Sequence, residues 1–346
     1  MKKIALLLSI AMLALILPGC GSSKTKLYVY NWGEYIDESV ISDFEAKYPD
    51  IKVIYETFET NEDMYTKIKP GDDCYDVLIP SDYMIGRLID EDMLEKLNFE
   101  NIPNYSYIDD KYKAWDYDPT NEYSVPYMWG VLGILYDTTK VQEDTFTWNT
   151  LFDPKYKNQV LMKDDSRDTL GIALKSLGYS MNSTDENELK EAENKLLEHK
   201  DNYFGIVGDE GMDMMVEGDA PLAVMYSGDA ARCISENENL AFAIPEDGTN
   251  YFVDAMVIPK NAKHKKEAEL FINFMCETDT ALKNVEEINY STPHTGAYEQ
   301  LDAERRNSFQ YPGEDVLKAA DVYNYLGSKE KLRSEIWNDY TASIAE

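Results

Sequence analysis

Basic side chains are scarce in this 346-residue sequence: 33 Lys and Arg stand against 65 Asp and Glu, a formal net charge of −32. A field of that sign repels nucleic acid and anionic lipid and attracts cations, whose encounter rates it can raise. Cysteine is scarce too, with four in all. Cys74, Cys233 and Cys276 form an odd, sparse set among apolar neighbours; that excludes a disulfide framework and reads as small buried core residues. The three histidines are scattered, and His199 and His264 lie in lysine-rich helical stretches where a surface position is expected. No G-x-S-x-G elbow, Walker loop or zincin motif is present, which removes the corresponding hydrolases and nucleotidases. Asp164-Asp165-Ser166-Arg167-Asp168 has some calcium-loop alternation but lacks the glycine at the sixth position and the terminal glutamate. Nothing here calls for a metal, a cofactor or a catalytic residue.

Long apolar runs are missing after the first twenty residues, so no later stretch could cross a membrane. The one early run, Ile4 to Leu17, follows Lys2 and Lys3 and has the length of a signal-peptide core rather than a permanent span. It ends at Leu17-Pro18-Gly19-Cys20, which resembles a bacterial lipobox in which Cys20 becomes the lipidated first residue. Residues 1–20 are therefore expected to leave as a lipoprotein signal peptide, and residues 21–25 to form a short tether. Loss of the two leader lysines takes the net charge from −32 to −34. About 325 residues remain, more than one hydrophobic core usually serves, so two lobes are expected.

Along the chain, apolar segments alternate between strand and helix character. Leu27–Tyr30, Ile51–Tyr55 and Asp76–Pro80 read as strands, separated by helices at Ser39–Tyr48 and Glu62–Lys69, the second capped by Asn61. That order implies parallel pairing with right-handed crossovers. A second α/β unit begins with a strand at Val131–Tyr136 and includes helices near Thr169–Leu177 and Asp185–His199, strands at Leu222–Tyr226 and Val253–Pro259, and a helix at Lys265–Cys276. Asn98–Asn121 is aromatic and turn-rich, and reads as surface loop.

In open α/β sheets ligands sit beyond the carboxyl ends of the strands. Three such ends are polar and aromatic: Asn31-Trp32-Gly33-Glu34-Tyr35, Pro80-Ser81-Asp82-Tyr83 and Tyr226-Ser227-Gly228-Asp229. Acid beside aromatic recurs there and at Phe252 with Asp254. Aromatic faces attract cations, and carboxylates make charge-assisted hydrogen bonds to ammonium groups. Two or three charged contacts of about 1.5–3 kcal/mol each and as many cation–π contacts of about 0.5–2 kcal/mol would support roughly micromolar binding after ordering costs. These residues fit either a cation-binding cleft or sheet-edge aromatics packed in a core.

At the same residues the chain resembles the spermidine/putrescine-binding proteins of bacterial ABC importers. The likeness is carried by LYVYNWGEYI from Leu27, YDVLIPSDYM from Tyr75, YSVPYMWG from Tyr123, KDDSRDTLGIALKSLGYS from Lys163, VDAMVIPKNAK from Val253 and INYSTP from Ile288. It implies an α/β, type II periplasmic-binding-protein fold, each lobe a sheet flanked by helices, with the polyamine between the lobes. Expected boundaries are 26–130 with 252–292 for one lobe and 131–251 with 293–346 for the other. The resemblance assigns ligand contacts to Trp32, Glu34, Tyr35, Ser81, Tyr83, Asp165, Asp168, Asp254 and Tyr290, with Arg167 holding the pair of acids around it. Tyr226 and Phe252 stand where the family has tryptophans, Tyr323 where it has a glutamine, and Gly33 where it has a threonine; Trp148 lies outside the matched motifs. The implied protein is not an enzyme. It is an exported monomer, lipid-anchored on the outer face of the cytoplasmic membrane, that delivers spermidine or putrescine to the permease subunits of an importer driven by a cytoplasmic ATPase. A binding protein for another small cationic solute and a polyamine sensor use the same cleft and remain the alternatives.

Overall fold

The computed structural model describes residues 24–69 and 75–344; Cys20, the leader and Cys74 lie outside them. The chain opens with strand β1 (Thr25–Trp32), helix α1 (Glu38–Lys47), β2 (Ile51–Phe58), α2 (Asn61–Ile68), the short β3 (Val77–Leu78) and α3 (Asp82–Asp90). Asp37 caps α1 by accepting from the Ser39 amide at 2.8 Å. Thr60, not Asn61, caps α2, its hydroxyl accepting from the Asp63 amide at 3.1 Å. Asn61 is instead buried, and its Oδ1 accepts from the Ser81 amide at 3.2 Å. Three short 3-10 turns occupy Phe99–Tyr112, in keeping with a loop-dominated stretch.

β4 (Ser124–Asp137) is 14 residues long and buried at every position but Tyr136. The strand read from Val131 is thus only its second half. Beyond it come β5 (Val160–Lys163), α4 (Ser166–Ser176), α5 (Glu186–Glu198), β6 (Tyr203–Val207), α6 (Glu210–Glu217), β7 (Leu222–Tyr226), α7 (Ser227–Glu236) and β8 (Leu240–Ala243). The chain returns through β9 (Tyr251–Val257), α8 (Lys265–Met275) and α9 (Thr278–Ile288). It ends in α10 (Thr295–Gln300), α11 (Ala303–Arg306), α12 (Glu314–Ala319) and α13 (Glu330–Ile344).

The strands run in the order β2-β1-β3-β9-β4-β7-β5-β6, with β8 also on β4. β1, β2 and β3 are parallel, as the alternation of elements predicts, and so are β5, β6 and β7. β4 joins the two sets. Its residues Ser124–Val131 pair antiparallel with β9, and Leu132–Tyr136 pair antiparallel with β7. The strand therefore changes partner at Val131/Leu132, and a site built on both sides of that point draws residues from both halves. The segment after α9 returns to the first half: Ser291 bridges Trp129, and His294 bridges Ile108. Buried His294 caps α10 by accepting from the Ala297 amide at 3.1 Å. α13 packs on the second half against α5 and α4.

Apolar burial is extensive on both sides. Leu27, Val29, Val40, Phe44, Val77 and Phe271 are fully enclosed in the first half, and Leu161, Met215 and Ala230 in the second. Cys233 and Cys276 are free and buried, as read from the sequence. Trp148 is fully enclosed, its Nε1–H donating to the Gly248 carbonyl at 2.7 Å. Trp148→Ala should therefore lower stability by about 3–5 kcal/mol through the cavity it leaves. Urea unfolding followed by circular dichroism reads this, and a midpoint unchanged from wild type would refute the packing.

Candidate functional site

The carboxyl ends of β1, β3, β5 and β7 converge with β9 along the seam between the halves. On the first-half side Asp254, fourth in β9, is 4% exposed. Its backbone bridges Ser81, just before α3. Tyr35 donates its phenol to Asp254 Oδ2 at 2.8 Å, while Oδ1 is buried with no hydrogen-bond partner among the described residues. Tyr35 lies edge-on to Tyr290 with ring centroids 4.9 Å apart. Half-buried Trp32 packs on Phe58 at 4.6 Å, and its indole Nε1 is likewise buried without a partner among the described residues.

On the second-half side Asp165 caps α4, accepting from the Arg167 and Asp168 amides at 2.8 and 2.9 Å. The cap aims the first turn of α4 at the seam. Asp168, 1% exposed, accepts from the Tyr226 phenol at 2.5 Å and the Tyr323 phenol at 3.2 Å. Tyr226 ends β7 opposite Leu132, and Phe252 on β9 lies opposite Gly130. The partner change in β4 thus sets their rings 5.2 Å apart from opposite halves. Gly130 is required there, since a Cβ would stand 2.9 Å from the Phe252 ring.

Further contacts cross between the halves. The Arg167 guanidinium lies 3.6 Å over the Tyr83 ring; its Nη1 donates to the Asn324 carbonyl at 3.2 Å and its Nη2 pairs with Glu330. Tyr290 donates to Asp229 Oδ1 at 2.8 Å. Gly228 permits this, because a Cβ there would fall 2.1 Å from the Tyr290 ring. Glu34 pairs with Arg232 of α7.

Of the residues expected from the sequence, Trp32, Tyr35, Ser81, Tyr83, Asp165, Asp168, Tyr226, Phe252, Asp254, Tyr290 and Tyr323 all come to this seam. Glu34 is the exception. Its side chain is 64% exposed on a positive-φ turn and faces Arg232 rather than the acids. Arg167 does not bridge Asp165 and Asp168 as expected; its guanidinium turns to Glu330 and Tyr83. Three acids went unassigned: Asp229, Asp82 and Glu62, whose carboxylate accepts from the Tyr83 phenol at 3.2 Å. Asp82 and Asp229 lie inside the strand-end turns, which was the available signal; Glu62 had none.

Burial sets the charge state of these carboxyls. It pushes Asp254 up to about 6 against the opposing pull of the nearby Ser81 hydroxyl, which makes no hydrogen bond to Oδ1, and of the Tyr35 phenol, which donates to Oδ2. It likewise lifts Asp229 to about 6, with Lys163 and Tyr290 opposing. Asp168 is raised to about 7, by burial first and by neighbouring Asp165 second. Asp82 reaches about 8, burial being partly offset by the Tyr83 amide. Such groups hold protons in the folded state that the unfolded chain has released, so stability falls as pH rises from about 4 to about 8. Asp254→Asn removes one of these charges and keeps the shape. It should melt no lower than wild type at pH 8, and any advantage should shrink at pH 5, where Asp254 is itself neutral. Thermal melts at the two pH values test this; a large loss at pH 8 would make Asp254 a structural acid.

Residues 39–309 match the model of the bacterial extracellular solute-binding proteins. The spermidine/putrescine-binding periplasmic protein of Salmonella typhimurium is 33% identical over 93% of each chain. Among solved structures, a Listeria monocytogenes protein provisionally assigned as a spermidine/putrescine ABC transporter is 42% identical with a TM-score of 0.89, covering 92% of this chain and 100% of that one. The substrate-binding protein of a spermidine/putrescine ABC transporter from Streptococcus pneumoniae is 39% identical with a TM-score of 0.80, over 93% and 100% of the two chains. The α/β architecture of these neighbours, the type II periplasmic-binding-protein fold, is the architecture of this chain. The chain belongs to the bacterial extracellular solute-binding proteins.

Proposed function

We propose that this member of the family is a polyamine-binding protein that holds spermidine or putrescine between its halves and delivers it to the permease of an ABC importer. The observation that carries this reading is Asp254: a buried carboxylate with one oxygen unpartnered among the described residues, beside Tyr35 and the rings of Phe252 and Tyr290. A buried acid without a counter-charge is costly, and an ammonium group supplies what is missing. Asp168 repeats the arrangement from the other side, between Tyr226 and Tyr323. Flat rings suit the methylene stems of such a ligand and the faces of its cations. The names of the relatives support the same ligand class.

In this reading residues 26–130 and 252–292 form one lobe and 131–251 with the C-terminal stretch the other; 293–311 is assigned to the first, because His294 bridges Ile108 and the Tyr311 ring packs on Trp129. The lobes share β4 as a hinge. A dication touching both stabilises their approach. Trp32, Tyr35, Ser81, Tyr83, Asp165, Asp168, Tyr226, Phe252, Asp254, Tyr290 and Tyr323 line the cleft, and Glu34 joins them only by leaving Arg232. The chain performs no catalysis and acts as a monomer, exported and anchored by lipid on Cys20.

Calorimetric titration with spermidine, putrescine, spermine and cadaverine tests the ligand class; no heat with any of the four would sink it. Affinity should rise from pH 5 to pH 8, because Asp254, Asp229 and Asp168 must lose protons to pair with ammonium groups. A flat pH profile would remove these acids from the site. Asp254→Asn should weaken binding by about 3–5 kcal/mol, some hundred- to thousand-fold. Trp32→Ala should cost about 1–3 kcal/mol through lost cation–π and packing contacts.

A further inference from the structure

One cation of the chain itself already stands in this seam. Lys163 is the last residue of β5, half-buried, one strand away from β7. Its carbonyl accepts from the Thr169 hydroxyl at 2.7 Å, which ties the end of β5 to the first turn of α4. Its Nζ lies 4.5 Å over the ring of Tyr226, the same ring whose phenol donates to Asp168 at 2.5 Å. The Lys163 charge also opposes the burial-driven rise in proton affinity of both Asp168 and Asp229. The tethered ammonium thus satisfies one aromatic face and partly offsets two carboxylates, which is what an ammonium of the ligand would do there.

Resting on the polyamine reading above, we propose that Lys163 is a specificity-determining residue that fills the ammonium subsite at Tyr226 and so favours diamines over triamines. The acids on the first-half side, led by Asp254, lie on the far side of the seam from β5 and are left for the ligand. A two-charge amine needs only those partners plus one shared with Asp168. A three-charge amine long enough to span the seam must bring its third ammonium beside Lys163 or push the lysine off its ring. Either outcome costs a like-charge contact or a cation–π contact in a poorly solvated place, where such terms exceed their value in water. Arg167 and Arg232 do not play this part, because Glu330 and the Tyr83 ring engage the first and Glu34 the second.

The test compares the ratio of spermidine to putrescine affinity, by calorimetry on the full mature protein, in wild type, Lys163→Met and Lys163→Arg. Lys163→Met keeps an unbranched stem on the ring and removes the charge; the ratio should move toward spermidine by about tenfold or more. Lys163→Arg restores a cation over the ring and should return the ratio toward wild type. Should Lys163→Met fail to fold, Lys163→Gln carries the same expectation, with thermal melts to verify the fold. A ratio unchanged between wild type and the neutral variants, with both amines binding, would overturn the role of Lys163 and leave polyamine binding standing. A wild-type protein that binds neither amine would overturn both.

Discussion

The constraint on which this molecule turns is the burial of carboxylates between two halves of one sheet. Asp82, Asp168 and Asp254 are each at most 4% exposed, in a chain with acid to spare on its surface. Each could have been an apolar residue at less cost to stability. They are tolerated because each has hydroxyl or amide donors beside it: Tyr35 for Asp254, Tyr226 and Tyr323 for Asp168, the Tyr83 and Val253 amides for Asp82. Those donors meet part of the hydrogen-bonding need and none of the charge. The remaining electrostatic demand, set by burial, accounts for the raised proton affinities and is of the sign that a cation would meet.

Topology delivers these groups. Because β4 pairs with β9 up to Val131 and with β7 from Leu132, neighbouring positions on one strand belong to different halves. Tyr226 and Phe252 face each other because of this partner change, and Gly130 and Gly228 leave no Cβ in the way of the Phe252 and Tyr290 rings. The continuous ladder of β4 and the aromatic contact across its partner change thus tie the two halves together at one point.

Much of this was legible in the sequence, for identifiable reasons. Strand ends rich in aromatic and acidic residues are local features, and those at Trp32, Ser81 and Tyr226 fell where the chain enters the seam. β5, β6 and β8 were not read from the sequence; like β7, which was, they are four or five residues long, and runs that brief do not establish a period of two. The cap of α2 went to Thr60 rather than Asn61 because the Asn61 side chain is engaged by Ser81, twenty positions on. Glu34 was placed in the cleft by its motif, but its partner Arg232 is 198 residues away in sequence, and no local pattern reports which way an exposed turn carboxylate faces. Asp229 and Asp82 lay within turns already singled out; their enclosure is a property of packing and could not be read from spacing. Trp148 shows the converse, a residue outside every site motif whose importance is wholly to the core.

Arg167 has a consequence for how the protein is made. It is positioned over Tyr83 by Glu330 and the Asn324 carbonyl, and Tyr323 from the same stretch supplies a donor to Asp168. The other half contributes Trp32, among the first described residues, at the end of β1. The site thus joins segments nearly 300 positions apart, and contacts of that separation form late and slowly. Without the segment that carries Tyr323 and Glu330, Asp168 keeps one phenol donor instead of two and Arg167 loses its carboxylate partner, so the seam is complete only once the far end of the chain has folded onto it.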